Sequence, residues 1–293
     1  MPDRTEAAAL IALLRGGRRP WSEYADLVEE AGSAVAVLER EQGAEPATLF
    51  GDPGPAAQLE QIGAEIDAWG AEGMRLTTVL DAGYPNNLRG VHDRPPFVFI
   101  SGALVPADGR AIAVVGSRVA SPHGVWAARA IAEHLVDQRY TVVSGLAAGI
   151  DNAAHTAALA RGGRTLAVIG TGLRRCYPPQ HADLQRRIAA ECAVISQFWP
   201  EAPPSRRSFP MRNAVMSGLS LATVVVEASL TSGSRIQARL ALEHGRPVFL
   251  LESVLEHEWA RECAARPGAR VIRSPDEITT IVERLTSPGA LVA

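Results

Sequence analysis

Two strand-to-helix turns between residues 111 and 151 set the limits on how this chain folds. The apolar run at 111–115 meets the small-residue turn Gly116-Ser117-Arg118, and a helical segment follows. A second apolar run at 141–143 meets Ser144-Gly145, with a helix start near Gly149-Ile150-Asp151. Successive units of this kind form a parallel sheet, and such sheets bind ligands at the carboxyl ends of their strands. Glycine lets backbone approach closely there, and free N–H groups at a helix start attract anions. With Arg118 alongside, these turns predict a phosphate-binding crevice.

From residue 111 onward the pattern alternates. The expected strands are 111–116, 140–144, 165–170, 192–197, 222–227, 247–251 and 270–273. The expected helices are 123–138, 149–161, 181–190, 211–219, 234–244, 254–264 and 276–285. The strands are continuous Val/Ile-rich runs, as in strands covered on both faces by helices. The fold class read from this is α/β, an extended Rossmann-like, doubly wound, mostly parallel sheet behind a small all-α module. In that module an apolar helical run covers 7–14, Ser22 caps a helix through Val28, and a third helix starts at 34–38. A break falls at 51–55, and a further helix covers 58–69. Strands are expected at 74–80 and 97–100. The domain reading is a helical module over 1–73, a bridge over 74–110, the Rossmann-like domain over 111–286 and a frayed tail over 287–293.

Charge is divided along the chain. Residues 1–110 carry nine arginines against seventeen acids, whereas 161–246 carry twelve arginines against five acids, and there is no lysine. The second half therefore suits an anionic partner. No apolar run reaches the roughly 18 residues of a membrane span. The N-terminus has no basic region before an apolar run, so a cytoplasmic protein without a membrane association is expected. Cys176, Cys192 and Cys263 show neither disulfide nor metal spacing and read as free thiols.

The strand-end turns in order are 116–118, 144–147, 170–172, 196–197, 227–229 and 252–253. Arg174, Arg175, Arg206, Arg207, Arg212 and Arg235 lie just beyond such ends. A glycine-rich rim with guanidinium groups matches phosphates, since Arg donates bidentately. The usual small-molecule owners are missing. The dinucleotide fingerprint fails after Gly116, and a Walker A loop needs a lysine. Asp151 and His155 are spaced as a proton-transfer pair or as a helix-start carboxylate and a sheet-facing histidine, the second being the simpler reading. Glu227 either binds a ribose or organises its neighbouring loop. In Phe209-Pro210-Met211-Arg212-Asn213, Phe209 is either a stacking surface for bases or a buried anchor. No residue set defines a catalytic centre, a metal site or a cofactor site.

These motifs resemble the DNA-processing protein A family (DprA/Smf). The resemblance rests on Val115 to Arg118, Ser144 to Asp151 with His155, and Gly170 to Leu173 followed by Tyr177-Pro178. It extends to Phe209 to Asn213, Gly218-Leu219-Ser220, Val226-Glu227-Ala228 with Ser232-Gly233-Ser234, and Tyr84 to Leu88 with Pro95-Pro96. It implies a non-enzymatic protein that binds single-stranded DNA, loads the RecA recombinase onto incoming DNA in natural transformation, and forms a homodimer through its Rossmann-like domain. The small front module would be sterile-alpha-motif-like. By motif, the strand should contact Arg118, Ser144, Gly145, Gly172, Arg212 and Asn213. The strand-end reading adds Gly116, Ser117, Arg174, Phe209, Ser232 and Arg235.

The chain reads as a diverged member without a C-terminal winged-helix domain. Gln197 stands where the family has Glu, Arg174-Arg175 replaces a more acidic step, and the acidic segment with Glu252, Glu256 and Glu258 replaces a Pro-Gly and Gly-Asn loop. The alternative is a nucleotide-binding or nucleotide-processing protein on the same scaffold. Glu227 and the Gly233 loop would then hold a ribose, although the Pro-Gly-Gly-x-Gly-Thr signature of such proteins is absent.

Overall fold

A computed structural model describes residues 3–42, 55–229 and 232–287. The chain divides into two compact units, one of Met1–Tyr84 with His92–Ile100 and one of Pro85–Val91 with Ser101–Ala293.

The first unit holds helices α1 (Arg4–Gly16), α2 (Trp21–Ala31), α3 (Ala34–Gln42) and α4 (Pro55–Ala71), with strand β1 (Met74–Thr78) and most of β2 (Phe97–Gly102). Asp3 caps α1 by accepting from the Thr5 N–H at 2.9 Å, and the whole run Ala7 to Leu14 is buried. Trp69 meets the buried Phe99 edge-on at 5.2 Å. Two expectations need correction here. Helix α2 begins at Trp21, so Ser22 lies inside it and caps nothing; Pro20 occupies the cap position, and Trp21 is held against Phe97 at 5.3 Å. Strand β1 stops at Thr78, short of residue 80, because the Thr78 N–H and hydroxyl both donate to Asp81 and turn the chain. Of the expected break at 51–55, residues 51–54 lie outside the described residues, and Pro55 begins α4.

The second unit opens with the short α5 (Asn86–Arg89). Then β3 (Ala111–Gly116), α6 (Pro122–Asp137), β4 (Thr141–Ser144), α7 (Ile150–Ala160), β5 (Thr165–Val168), α8 (Ala182–Glu191) and β6 (Ala193–Ser196) follow. The chain continues through α9 (Ser208–Leu219), β7 (Ala222–Glu227), α10 (Gly233–Glu243), β8 (Val248–Leu251), α11 (Glu258–Ala264), β9 (Ala269–Ile272) and α12 (Pro275–Thr286). Seven strands lie in the order β6-β5-β4-β3-β7-β8-β9, and every neighbouring pair is parallel. The sequence order reverses between β3 and β7, the switch point at which sheets of this class open a crevice.

Strands β3 to β6 are buried almost throughout, which accounts for their mostly apolar sequence; the hydroxyls of Ser144, Thr165 and Ser196, at strand ends, each donate to a backbone carbonyl. On one face Ile112, Val114, Val142 and Val224 pack with Ala128, Ile131, Ala154, Ile278 and Val282 from the covering helices. The helix expected at 254–264 is instead two pieces. A 3-10 turn spans Glu252–Glu256, and α11 starts only after His257, whose backbone is extended. Helix α9 starts at Ser208, three residues before the expected 211. Pro210 sits in its first turn, where a missing N–H costs no helical bond. Helix α12 runs to Thr286, and residues 288–293 of the expected tail lie outside the described residues.

Candidate nucleic-acid interface

The loop after β4 is assembled around two buried charges. Gly145 leaves the strand so close to α9 that a Cβ there would lie 1.5 Å from Nη1 of Arg212. The Arg212 guanidinium fills that space, 5% exposed, and donates to the Val168 carbonyl at 2.9 Å. Asp151, in the first turn of α7, accepts from the N–H groups of Gly145 at 3.1 Å and Ala147 at 3.3 Å. Burial pushes the Asp151 carboxyl above the ordinary carboxylate range, and the charge of Arg212 draws it back down. Burial likewise lowers Arg212 from its ordinary value. The backbone adds strain. Leu146 has φ 59°, whereas Gly149, at φ 74°, takes a conformation open to glycine, and a Cβ there would lie 2.2 Å from the Ser117 carbonyl. A non-glycine residue at positive φ persists only where its surroundings over-determine it; here the Leu146 side chain is fully buried.

His155 does not pair with Asp151. Its Nδ1 lies 2.6 Å from the Thr165 hydroxyl, and that hydroxyl donates to the Val142 carbonyl. The Nδ1 atom therefore carries the proton, and burial lowers the His155 pKa to about 3. The pair is a strut between helix and sheet, the simpler of the two sequence readings. Glu227 likewise acts on its loop. Its carboxylate accepts from the Ser121 N–H at 3.0 Å and from the Ser121 hydroxyl, while that hydroxyl caps α6 by accepting from the Gly124 N–H at 2.9 Å.

The loop after β3 turns outward. The Ser117 N–H donates to the Glu227 carbonyl at 2.7 Å, and Gly116 stands opposite Glu227 at a register shift. Arg118 then projects into solvent with its guanidinium carbon 5.0 Å above the centre of the Phe209 ring. Tyr177 packs on Phe209 at 5.5 Å, and the Phe209 ring lies on Gly170. Phe209 is thus neither a free stacking plate nor a core anchor. It is a half-buried floor between an arginine and a tyrosine.

The twelve sequence-predicted residues fall into distinct places. Arg118 and Phe209 meet at this mouth, with Gly116 and Ser117 beneath them. Ser144 donates to the Val114 carbonyl at 2.6 Å and is fully buried. Asn213 is 6% exposed and donates to the Gly233 carbonyl; Gly172 donates to the Ala202 carbonyl at 2.9 Å. Like Gly145 and Arg212, these three spend their polar groups within the fold. Arg174 is paired with Glu201 at 2.8 Å beside a separate hollow that Arg175 and Arg186 also line. Ser232 and Arg235 line another hollow, of about 400 Å³, with Arg239, Trp259 and Arg266. Between the loops after β3 and β7 lies a cleft of about 430 Å³ bounded by Ser117, Ser121, His123, Glu227, Glu256 and His257. Glu252, next to the cleft residues Ser253 and Val254, pairs with Arg273 at 3.1 Å.

Sequence reasoning missed Val119, Trp126 and Met211 as surface features of this edge, and it quoted Tyr177 only as part of a motif. Their relative exposures are 91, 65, 43 and 41%. One signal was available. Trp126 interrupts an otherwise polar helical stripe of His123, Arg129, Glu133 and Asp137.

A family model described as DNA recombination-mediator protein A matches residues 75–283. Protein Smf of Synechocystis is 39% identical over 217 residues, covering 72% of this chain and 53% of its own length. DNA processing protein DprA of Streptococcus pneumoniae is 37% identical over 203 residues, covering 69% of this chain and 72% of its own. This chain thus spans about half the length of the Synechocystis relative. Among solved structures, DNA processing protein A from Streptococcus pneumoniae superposes with a TM-score of 0.71 at 30% identity, over 95% of this chain and 97% of that one. DNA processing protein A from Helicobacter pylori, described for its single-stranded DNA binding mode, gives 0.63 at 25% identity, over 71 and 96%. The fold defines an α/β protein with a Rossmann-like sheet. The chain belongs to the DNA recombination-mediator protein A family, also called DprA or Smf.

Proposed function

We propose that this chain binds single-stranded DNA along the carboxyl edge of its parallel sheet and acts as a recombination mediator without altering the DNA chemically. The observation that carries this reading is the Arg118–Phe209–Tyr177 stack at the mouth. An exposed guanidinium over aromatic rings holds a phosphate while offering apolar surface to a base, the combination found in single-strand binders. In this reading Gly116 and Ser117 approach the backbone. Arg174, Ser232 and Arg235 extend the contact along the rim, while Ser144, Gly145, Gly172, Arg212 and Asn213 fix the mouth's shape. Family membership and the single-strand binding described for the Helicobacter pylori protein support it. Delivery of RecA to the bound strand, a homodimer joined through the second unit, and a cytoplasmic site of action belong to the same proposal. None of the helices among the described residues is long and apolar enough to cross a membrane.

A mobility shift with a single-stranded oligonucleotide tests the binding. The expected result is salt-sensitive binding whose log K falls by about 0.7 per phosphate neutralised for each tenfold rise in salt; no binding at low salt would refute it. A second reading, nucleotide binding, draws on the cleft between the loops after β3 and β7. Glu227 is engaged there by Ser121, which disfavours a ribose ligand. A large thermal shift with a mononucleotide and none with an oligonucleotide would favour that reading instead.

A further inference from the structure

The exposed apolar side chains of the second unit are not scattered. Six large hydrophobic residues are exposed among the described ones, and four of them, Val119, Trp126, Tyr177 and Met211, stand on the loops and helix starts that surround the Arg118 mouth. Single exposed hydrophobics need no explanation, but a grouping does. Tyr177 belongs to the Phe209 stack already described. Trp126 does not. It is 65% exposed, and the ring of His123, also exposed, stacks nearly parallel to it, at 26° and 5.8 Å. His123 also lines the cleft between the loops after β3 and β7. The series from Arg118 through Val119 and His123 to Trp126 is therefore one continuous stretch of chain leading away from the mouth. Trp126 lies five residues beyond the Ser121 cap, about 7 Å along the helix axis. Arg129, three residues further on, shares its face and is also exposed.

We infer that Trp126 is a second stacking platform, on which an unpaired base of the bound strand lies after its backbone leaves Arg118. The inference rests on the single-strand reading above and names where the strand goes next. An indole offers the broadest π-face of any side chain, and it is sequence-tolerant because every base has a matching face. His123 stacks against the indole and limits its rotamers, and Arg129 supplies positive charge for the next phosphate. A nucleic-acid strand suits this stretch better than a folded protein does, because an exposed aromatic pair, His123 and Trp126, lies between two exposed arginines, Arg118 and Arg129.

The protein carries its own reporter. Trp126 is one of five tryptophans, and the other four are buried or half-buried. Titration of the intact chain with a homothymidine oligonucleotide should quench its emission by stacking, and the quench should vanish in Trp126→Phe. By fluorescence anisotropy of a labelled oligonucleotide, Trp126→Ala should weaken binding about fivefold or more, whereas Trp126→Phe should keep most of the affinity. Unchanged melting temperatures would show that both variants fold. Wild-type binding with no Trp126-dependent quench, or with full affinity in Trp126→Ala, overturns this inference and leaves the Arg118 reading standing. A change of oligomeric state in Trp126→Ala with full affinity for the oligonucleotide also overturns it, in favour of a contact between copies. Absence of any binding by the wild type overturns both.

Discussion

The loops after β3 and β4 leave adjacent strands of one sheet, yet they are built in opposite ways. The β4 loop spends its polar groups inward. Gly145 is pressed against Arg212, Asp151 gathers two backbone N–H groups, and Leu146 is held at positive φ with its side chain in the core. The β3 loop secures itself at Ser117 and Ser121 and sends Arg118 and Val119 outward. One region sets geometry and the other, in the function proposed above, makes contact. A motif that spans both therefore marks two kinds of residue, and variants in the two should fail in different ways.

The largest effect is expected inside. Arg212→Ala leaves the Val168 carbonyl without its donor and Asp151 without a compensating charge, and removal of one partner from such a buried set costs about 3–5 kcal/mol. Chemical denaturation should report it as a lowered midpoint; a loss below about 1 kcal/mol would mean that Arg212 is free to turn toward a ligand. Next comes an acid sensitivity from His155. Its folded pKa is lowered from 6.5 to about 3, so between those values the unfolded chain binds a proton that the folded chain does not. Stability then falls as pH falls, by about 2 kcal/mol from pH 6.5 to about 5 for one such group. His155→Gln should flatten that part of the stability–pH curve, and an unaltered slope would show that another group causes it. Smaller still, Ser121→Ala removes the α6 cap and a Glu227 partner, for about 1 kcal/mol. It should also loosen the loop bearing Arg118, visible as faster amide exchange over 117–124. Equal exchange in variant and wild type would detach the cap from the mouth.

How far this division could be read from the sequence depends on what each residue does. The parallel sheet was legible because strands buried on both faces are mostly apolar, and runs such as 111–115 and 224–226 have few other uses. The mouth was legible as a group of strand ends, since topology alone brings those ends to one edge. Arg212 was not legible as a buried residue. It reads as one more rim arginine, and only the approach of Gly145, distant in sequence, encloses it. The two-part segment at 252–264 was hidden for a similar reason, since helical spacing carries no mark of the extended backbone at His257. Trp126 was visible as an aromatic residue in a polar stripe, but its pairing with His123 shows only in the structure.

The most direct test of the division is Arg118→Ala, measured for both fold and binding. Arg118 is exposed, so the change should leave the melting temperature and denaturation midpoint at the wild-type values, within about 0.5 kcal/mol. Affinity for a single-stranded oligonucleotide at low salt should fall at least about tenfold, and the salt dependence should lose about one phosphate's share of its slope. Wild-type affinity with an unchanged salt slope would contradict the assignment of the β3 loop as the contacting region.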